Sequence, residues 1–310
     1  MSVRILLTGK NGQVGAELAR ILPEIGDLVA VDRHQLDLTR PEQIRRVVRE
    51  IRPQLIVNAA AYTPVDLAER EESIARAINT DAPGVMAEEA RKIGAALVHY
   101  STDYVFDGAK TTPYNESDST NPINAYGRTK LGGEHAIRAA AVPHLIFRTQ
   151  WVYGNRGKNF LLTILRLAAE REELRVVNDQ FGAPTWSREI ARATANILSK
   201  TLRRDTDAPT VEEVSGTYNM TAAGQTNWHE FAVAILDGAL RAPRESWLWA
   251  GSGKALLARR IVPIKTPEYP TPARRPAYSV LSNRRLTETF AVQLPEWRTQ
   301  LNSALAERAE

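Results

Sequence analysis

A glycine-rich turn constrains the fold of this chain more than any other sequence feature. It reads Gly-Lys-Asn-Gly-Gln-Val-Gly over residues 9–15 and directly follows the apolar run 3–7. Between a strand and a helix, one glycine lets the chain turn sharply, another lets backbone amides approach a pyrophosphate, and a third lets the helix pack close to the sheet. The same spacing occurs in ordinary tight turns. Its place after the first strand of an alternating chain favours a dinucleotide-binding loop.

The first half of the chain alternates short apolar runs with helical patterns. We predict strands over 3–7, 28–31, 55–57, 96–100 and 145–147. We predict helices over 13–22, 41–51 and 125–140, and about two more within 64–91. This alternation implies right-handed crossovers and therefore an α/β fold, a Rossmann-like doubly wound parallel sheet. Such a sheet binds ligands at the carboxyl ends of its strands.

The alternation loosens after residue 150. Helices are predicted over 158–172, 187–201, 226–241 and 295–308, with long polar or proline-rich connections between them. We therefore assign residues 1–150 to a dinucleotide-binding domain. Residues 151–310 are assigned mainly to a smaller, mostly helical C-terminal lobe that binds the substrate. Some segments of the second half are expected to return to the sheet.

The composition excludes several classes of protein. The chain has no cysteine, which excludes disulfides, thiolate zinc sites and cysteine-bound iron–sulfur clusters. A net charge of +4, with arginines scattered along the chain, does not predict a nucleic-acid-binding face. No apolar run approaches the roughly 18 residues of a membrane span, and the N-terminal segment does not resemble a secretory signal. The five histidines show no metal-binding spacing. We expect a cytoplasmic protein that binds neither membranes nor nucleic acid.

Acidic and basic side chains follow the second predicted strand. Asp32 ends that strand about 20 residues beyond the glycines, where a carboxylate can accept hydrogen bonds from the adenosine ribose. It can equally be an ordinary turn residue. Arg33 or Lys10 can instead bind a 2′-phosphate, and Asp37 can face the adenine or cap the next helix. The sequence therefore leaves both NADH and NADPH open.

A tyrosine and a lysine mark a candidate proton donor. Tyr126 and Lys130 lie four residues apart on one face of the helix predicted over 125–140. A neighbouring ammonium is expected to lower the tyrosine pKa from its ordinary value near 10. Thr102, at the end of strand 96–100, can polarise a substrate carbonyl together with Tyr126, or it can simply cap the strand. This pair spacing is common by chance, but the three features in this chain order predict catalysis. His99, within the same strand, is expected to be a hydrogen-bonded core residue.

Several longer motifs resemble one family. They are GKNGQVG, NAAAYTPVDLAE, HYSTDYVFDG, NPINAYGRTKLGGE, FRTQWVYG, NDQFGAPT and YPTPARRP, and they run from residue 9 to residue 276. Together they resemble the dTDP-4-dehydrorhamnose reductases, which are extended short-chain dehydrogenases/reductases that act on nucleotide sugars. The motifs between residues 99 and 185 are the most specific.

The resemblance implies a role for each matching residue. Tyr126 and Lys130 would form the catalytic pair with Thr102, and Thr102, Asp103 and Trp151 would contact the sugar. In this interpretation Trp151 forms a wall of the sugar pocket; otherwise it is a buried aromatic residue beyond a strand. The implied cofactor-binding residues are Gly9, Gly12, Gln13, Val14, Asp32, Arg33, Asp37, Leu38, Ala61, Tyr62, Thr63, Tyr126 and Lys130.

The resemblance also implies a reaction. A reduced nicotinamide, from NADPH or NADH, would deliver a hydride to the C4 ketone of dTDP-6-deoxy-L-lyxo-4-hexulose. Tyr126 would protonate the developing alkoxide and yield dTDP-L-rhamnose, in the last step of dTDP-rhamnose synthesis. Lys130 would tune Tyr126 and bind the nicotinamide ribose. The nucleotide sugar is the implied partner.

Some members of this family hold magnesium at a dimer interface with acidic side chains. Glu17 and Glu189 lie at or near such positions, but Arg188 replaces an acidic neighbour, which puts the metal and that homodimer in doubt. Glu17 is expected instead to lie on a helix surface. Arg274 and Arg275 are expected either to bind the substrate diphosphate or to fix their loop through carboxylates.

Two alternatives stay open at the level of the sequence. Another nucleotide-sugar reductase, or an epimerase, would share the fold and the Tyr–Lys pair, because the substrate lobe decides between them. A non-catalytic, NADP-binding regulatory subunit would share the fold and the cofactor loop. The presence of Thr102, Tyr126, Lys130 and Trp151 favours catalysis.

Overall fold

The computed structural model describes residues 2–202, 208–243, 245–250 and 256–308. The strands are β1 (Val3–Thr8), β2 (Gly26–Val31), β3 (Leu55–Asn58), β4 (Ala96–Thr102), β5 (His144–Thr149), β6 (Val152–Tyr153), β7 (Glu173–Val177), β8 (Phe181–Gly182), β9 (Thr185–Trp186), β10 (Gly216–Asn219), β11 (Thr226–Asn227) and β12 (Arg260–Ile264). The α-helices are α1 (Gln13–Ile21), α2 (Pro41–Ile51), α3 (Val65–Ala68), α4 (Glu72–Arg76), α5 (Ala82–Ile93), α6 (Ala125–Ala139), α7 (Phe160–Ala168), α8 (Ser187–Thr201), α9 (Trp228–Arg241), α10 (Trp247–Ala250), α11 (Arg284–Phe290) and α12 (Trp297–Ala306).

Within these described residues, six strands form one parallel sheet in the order β10-β5-β4-β3-β1-β2. The chain leaves β1 toward β2 on one side and then returns to place β3 on the other side. The strand order therefore reverses between β1 and β3. In doubly wound sheets the crevice at such a reversal receives the ligand.

Both faces of the central sheet are buried, as the apolar character of its strands requires. Leu7 and Val57 point into a core that includes residues of α8 and α11. Leu6 and Ile56 point into the opposite core, which includes residues of α2 and α5. Because neighbouring residues of a strand face opposite sides, each strand supplies both cores.

A second lobe has its own apolar core. This core contains Leu161 of α7, Phe231 of α9 and Leu301 of α12, together with Leu174 of β7. Strand β7 pairs in parallel with β12 beside these helices. The lobe is mostly helical, and the α/β fold class predicted from the sequence is confirmed.

All five predicted strands are present, and each extends beyond at least one of its predicted ends. The most consequential extension is β4, which runs to Thr102 and ends at the candidate site. The sequence pattern did not locate β10, although a return to the sheet was expected. Only four residues long, β10 pairs with β5 at the edge of the sheet, so it has no long apolar run to identify it. The region 64–91 holds α3, α4 and α5, with a π-helix over Ala77–Asp81.

No helix in the described part of the chain combines the length and apolar character that a membrane crossing needs.

Candidate active site

The glycine-rich turn lies at the reversal of strand order. Gly9 has a φ of +77°, and a Cβ there would lie 2.8 Å from the backbone of Ala60, beyond the end of β3. A Cβ on Gly15 would lie only 2.1 Å from the carbonyl oxygen of Gly9. The turn therefore requires glycine at both positions, one for its backbone angle and one for the close approach of α1.

The first turn of α1 is suited to bind an anion. Gly12 is its N-cap, and no described side chain caps the helix. The first amides of a helix lack intrahelical acceptors and carry partial positive charge, so they can face a pyrophosphate. This uncapped N-terminus and the close-packed glycines fit a dinucleotide, which the protein would hold with Gly12, Gln13 and Val14.

Gln13 also links the turn to the second lobe. Its Oε1 accepts a hydrogen bond of 2.9 Å from Nδ2 of Asn159, the N-cap of α7, and its Nε2 donates to the Val152 carbonyl. The side chain therefore joins the two lobes at the start of α1.

Asp32 follows β2 and is partly neutralised by Lys10. Its Oδ2 lies 3.6 Å from Nζ of Lys10, and its Oδ1 accepts hydrogen bonds from the amides of His34 and Gln35. Partial burial opposes ionisation, but the two amides and the Lys10 ammonium outweigh it and lower the Asp32 pKa. The carboxylate is therefore charged at neutral pH and can accept from ribose hydroxyls.

A polar cavity of about 330 Å³ opens beside this carboxylate. It is lined by Arg33, His34, Asp37, Arg40 and Gln43. The Asp37 carboxylate accepts from the Thr39 hydroxyl at 2.8 Å and from its amide, so it stabilises the turn before α2. Leu38 is buried beneath this cavity-forming segment. Basic and acidic groups thus both lie where the adenosine end is expected.

Ala61, Tyr62 and Thr63 follow β3 at the same edge. The backbone of Tyr62 is paired with the Asn79 side chain on both its amide and its carbonyl. Its phenol donates to Glu71 at 2.6 Å, and partial burial with this hydrogen bond raises its pKa to about 12. The Tyr62 hydroxyl is therefore a fixed structural donor that does not ionise near neutral pH.

Thr102 and Asp103 lie buried where β4 ends. The Thr102 hydroxyl donates to Oδ1 of Asp103 at 3.0 Å and accepts from the Tyr104 amide. Oδ2 of Asp103 has no hydrogen-bond partner among the described residues. Burial raises the Asp103 pKa to about 7. The side chains of Ser279 and Gln150 lie near this carboxyl group and, with Thr102, oppose the shift only in part.

Tyr126 lies in the first turn of α6 and faces this pair. Burial and the nearby Asp103 carboxylate raise its pKa, and a hydrogen bond with Thr102 opposes the shift only in part. The expectation that Lys130 lowers the Tyr126 pKa does not describe this structure, because the Lys130 amine is directed elsewhere. The phenol of Tyr126 therefore keeps its proton at neutral pH, as a proton donor requires.

Lys130 is buried one turn further along α6. Its Nζ donates to the Tyr100 carbonyl at 2.5 Å and lies 3.2 Å from Nε2 of His99. Burial lowers its pKa to about 8, although the Glu134 carboxylate opposes the change. The lysine is thus held beneath the tyrosine at a pKa close to neutrality.

Trp151 follows β5 in a strained conformation. Its φ is +45°, a left-handed angle that is rare for a bulky residue. A Cβ on Gly182 would meet the indole at 2.6 Å, so the indole fits only against a glycine. Strain of this kind often marks functional sites.

Comparison with known proteins identifies the family. The family described as the RmlD substrate binding domain matches residues 3–310. A Burkholderia thailandensis protein named dTDP-4-dehydrorhamnose reductase is 52% identical over 297 residues, which cover 96% of each chain. The chain belongs to the dTDP-4-dehydrorhamnose reductase family.

Solved structures agree with this assignment. The dTDP-4-dehydrorhamnose reductase of Bacillus anthracis, solved with NADP, has a TM-score of 0.86 and 34% identity, covering 98% of this chain and 99% of that one. A Thermus thermophilus UDP-glucose 4-epimerase complex with NAD has a TM-score of 0.75 at 18% identity, covering 97% of each chain, and shares the fold alone. Reductase-family and epimerase structures thus share one nicotinamide-binding fold.

Glu17 and Glu189, the two carboxylates that the resemblance suggested as magnesium ligands, are instead paired with arginines. Glu17 is buried, which corrects its expected place on a helix surface. Its Oε2 accepts from Nε of Arg188 at 2.9 Å, and Arg188 also pairs with Glu307. Glu189 pairs with Arg192. Over the described ranges, no three histidine or acidic side chains come together as a metal site. The arginines already balance these carboxylates.

The proline-rich motif of the family is fixed by an ion pair. Arg275 donates to both carboxylate oxygens of Asp66, at 2.6 and 2.7 Å, and to the Ala273 carbonyl. The alternative in which Arg275 fixes its loop is therefore the one observed in the structure. Arg274 is exposed, and its carbonyl accepts from Asn124, the N-cap of α6.

The sequence did not identify Trp228, which lies beside Trp151 at the candidate sugar pocket. Its indole stacks on Trp151, with ring centroids 3.4 Å apart and an interplanar angle of 9°. Its Nε1 donates to Gln180, and the ring of Phe160 packs at a tilt against the indole. An aromatic residue directly after the N-cap Asn227 was the available signal, but nothing local linked it to Trp151.

Proposed function

We propose that this chain reduces the C4 ketone of dTDP-6-deoxy-L-lyxo-4-hexulose to give dTDP-L-rhamnose. The observation that carries the proposal is the group formed by buried Thr102 and Asp103 and partly buried Tyr126 at the end of β4. The carboxyl ends of β1, β3 and β4 bring these features to one edge of the sheet. This edge offers a proton donor, a carbonyl-polarising hydroxyl and a dinucleotide cradle together.

Each side chain has a defined task in this proposal. The Tyr126 phenol donates the proton to the oxygen at C4, since its raised pKa keeps it protonated. The Thr102 hydroxyl, which donates to Asp103 in this structure, turns to the C4 oxygen when the substrate binds. The carboxyl group of Asp103 then accepts from a sugar hydroxyl. Trp151 supplies an apolar wall. A bound reduced nicotinamide supplies the hydride at the same edge.

Both NADPH and NADH are proposed as cofactors. Charged Asp32 suits the ribose hydroxyls of NADH, whereas Arg33 and Arg40 beside it suit the 2′-phosphate of NADPH. Lys10 is already paired with Asp32 and contributes less to a phosphate. Arg33→Ala is expected to weaken NADPH binding more than NADH binding.

The reaction is tested by following nicotinamide absorbance. Purified protein is mixed with dTDP-4-keto-6-deoxyglucose, with and without the 3,5-epimerase that supplies the L-lyxo sugar, using NADPH and NADH in parallel. We expect oxidation that depends on the epimerase and is lost in Tyr126→Phe. Cofactor binding without oxidation would contradict the proposal and favour another sugar or a regulatory subunit. An epimerase would interconvert sugars without net consumption of reduced cofactor.

A further inference from the structure

A chain of buried hydrogen bonds runs from Lys130 across β4 and β3 to the end of β1. It joins Thr8 of β1, Asn58 of β3, His99 of β4 and Lys130 of α6, and all four residues are buried. Oγ1 of Thr8 lies 2.7 Å from Oδ1 of Asn58, and Nδ2 of Asn58 lies 3.1 Å from Nδ1 of His99. Nε2 of His99 lies 3.2 Å from Nζ of Lys130. The chain therefore links the end of β1 to the candidate catalytic lysine.

The direction of these hydrogen bonds is set at Asn58. Its Oδ1 accepts from the Thr8 hydroxyl and also from the amide of Ala60, at 3.2 Å. Because a backbone amide can only donate, this atom of Asn58 must be the oxygen. The opposite atom, Nδ2, therefore donates to Nδ1 of His99.

His99 must then carry its proton on the other nitrogen. Burial is the largest cause that lowers the His99 pKa well below its ordinary value, so the ring is neutral. A neutral imidazole has one N–H and one acceptor nitrogen. Since Nδ1 accepts from Asn58, the proton lies on Nε2 and points at Lys130.

The N–H group at Nε2 of His99 favours the neutral amine form of Lys130. A neutral amine can accept from Nε2–H while it donates to the Tyr100 carbonyl, whereas an ammonium would place two donors face to face. The charged group acting on Lys130 from its own helix is Glu134. That carboxylate accepts from Arg148 and Arg138 and from the Ser101 hydroxyl, so its charge is largely compensated.

We propose that His99 is a positioning residue that acts through Lys130: its Nε2–H holds the lysine side chain against the Tyr100 carbonyl and favours the neutral amine over the ammonium. The proposal rests on the proposed function only in that Lys130 belongs to the active site. Burial lowers the Lys130 pKa to about 8 against the opposing charge of Glu134. The hydrogen bond from His99 is expected to lower it further. Lys130 thus gains or loses a proton near neutral pH.

The tautomer of His99 gives the first test. Long-range ¹H–¹⁵N spectra of histidine-labelled, cofactor-free protein report which ring nitrogen carries the proton. The His99 signals are identified as those missing from the spectrum of His99→Gln. Alternatively, each of the other four histidines is substituted in turn, and the signals that no substitution removes belong to His99. We expect a neutral ring protonated at Nε2 at neutral pH. A ring protonated at Nδ1, or a charged ring, overturns the proposal.

The titration of Lys130 gives the second test. In protein labelled at lysine Cε, the Lys130 signal is the one absent from Lys130→Met. His99→Gln offers an amide oxygen to the ammonium, so its Lys130 midpoint is expected to rise by about one pH unit, or tenfold in the proton equilibrium. An unchanged midpoint overturns the proposal. Val98→Ala, whose buried side chain lies in the opposite core, is the matched control and is expected to leave the midpoint unchanged.

Both tests use protein without substrate. If the sugar assay contradicts the proposed function, the tautomer and titration results are still valid. If His99 has the other tautomer, the result of the sugar assay is still valid. The pH profile of turnover adds a functional readout: a limb that Lys130 controls should move in His99→Gln by the same amount as the Lys130 titration midpoint, and should remain in Asp103→Asn.

Discussion

The indole of Trp151 lies face to face on the indole of Trp228, with ring centroids 3.4 Å apart. Trp151 follows a strand of the central sheet in a left-handed backbone conformation, whereas Trp228 begins α9 of the second lobe. The stack thus joins the two lobes at the candidate sugar pocket. It also gives a physical reason why the strained backbone of Trp151 persists, since packing must offset the cost of such an angle.

Trp228→Ala should weaken sugar binding more than it slows the chemistry. An aromatic pair contributes about 0.5–1.5 kcal/mol beyond its buried area, so losing the stack is expected to raise KM for the nucleotide sugar roughly three- to tenfold. Steady-state kinetics with saturating cofactor separates KM from kcat. Trp228→Phe, which keeps an aromatic face, should recover most of the loss. A fall in kcat with unchanged KM would contradict this role of the stack.

Tyr126→Phe should bind the cofactor normally and lose most turnover. Removing a proton donor costs about 10²–10⁴-fold in rate. Fluorescence titration with reduced cofactor and turnover assays measure the two effects separately. Tyr104→Phe is the matched control, because Tyr104 packs edge to face on Tyr126 and its ring is retained. Turnover by Tyr126→Phe at the level of this control would exclude Tyr126 as the donor.

Turnover should decline as the pH rises through about 7, the raised pKa of Asp103. The ionised Asp103 carboxylate raises the Tyr126 pKa and makes the phenol a weaker acid. Below that pH Asp103 is protonated and this opposition disappears. Asp103→Asn is therefore expected to flatten the limb near pH 7 while raising KM. The kcat profiles of both proteins test this, and a limb that persists in the asparagine variant counts against Asp103.

Acid should destabilise the protein through Glu89. This buried carboxylate accepts hydrogen bonds from Arg49 of α2 and Lys92 of α5. The Arg49 hydrogen bond is the largest cause that lowers the Glu89 pKa from 4.5 to about 2, against the opposing effect of burial. Because the folded pKa lies below the unfolded one, the stabilisation is complete above about pH 4.5 and is lost as the pH falls toward 2.

Glu89→Gln is accordingly expected to lower the free energy of unfolding at neutral pH by about 2 kcal/mol. Its stability should also change less than that of the unmodified protein between about pH 5 and about pH 2. Urea unfolding at both pH values measures these effects. Glu88→Gln, at an exposed neighbouring position, is the matched control. Equal unfolding midpoints for the two variants would show that the Glu89 ion pairs contribute no stability.

The central sheet and the glycine-rich turn between β1 and α1 could be predicted because their signals are local. An apolar run bounded by polar residues defines β1, and the glycines after it report close approaches within a few residues. The position of Tyr126 and Lys130 on one face of α6 was predictable for the same reason, since it follows from their spacing. Their catalytic role stays a prediction.

The remaining features depend on contacts between distant segments. The direction of the Lys130 side chain depends on His99 of β4, and the fixed loop at Arg275 depends on Asp66 of α3. The pattern of α1 predicts a surface position for Glu17. In the structure, α8 packs against α1, so Glu17 is buried and its carboxylate pairs with Arg188. No spacing along the chain contains these pairings, because tertiary packing creates them.

The most direct test of the proposed reaction follows the hydride itself. Cofactor deuterated at the transferable C4 position of the nicotinamide is supplied with the epimerase-generated 4-keto sugar, and the sugar product is examined by NMR. We expect deuterium at C4 of the sugar and the configuration of dTDP-L-rhamnose. Deuterium at C4 in the opposite configuration, or a sugar product without deuterium, would contradict the proposed reduction.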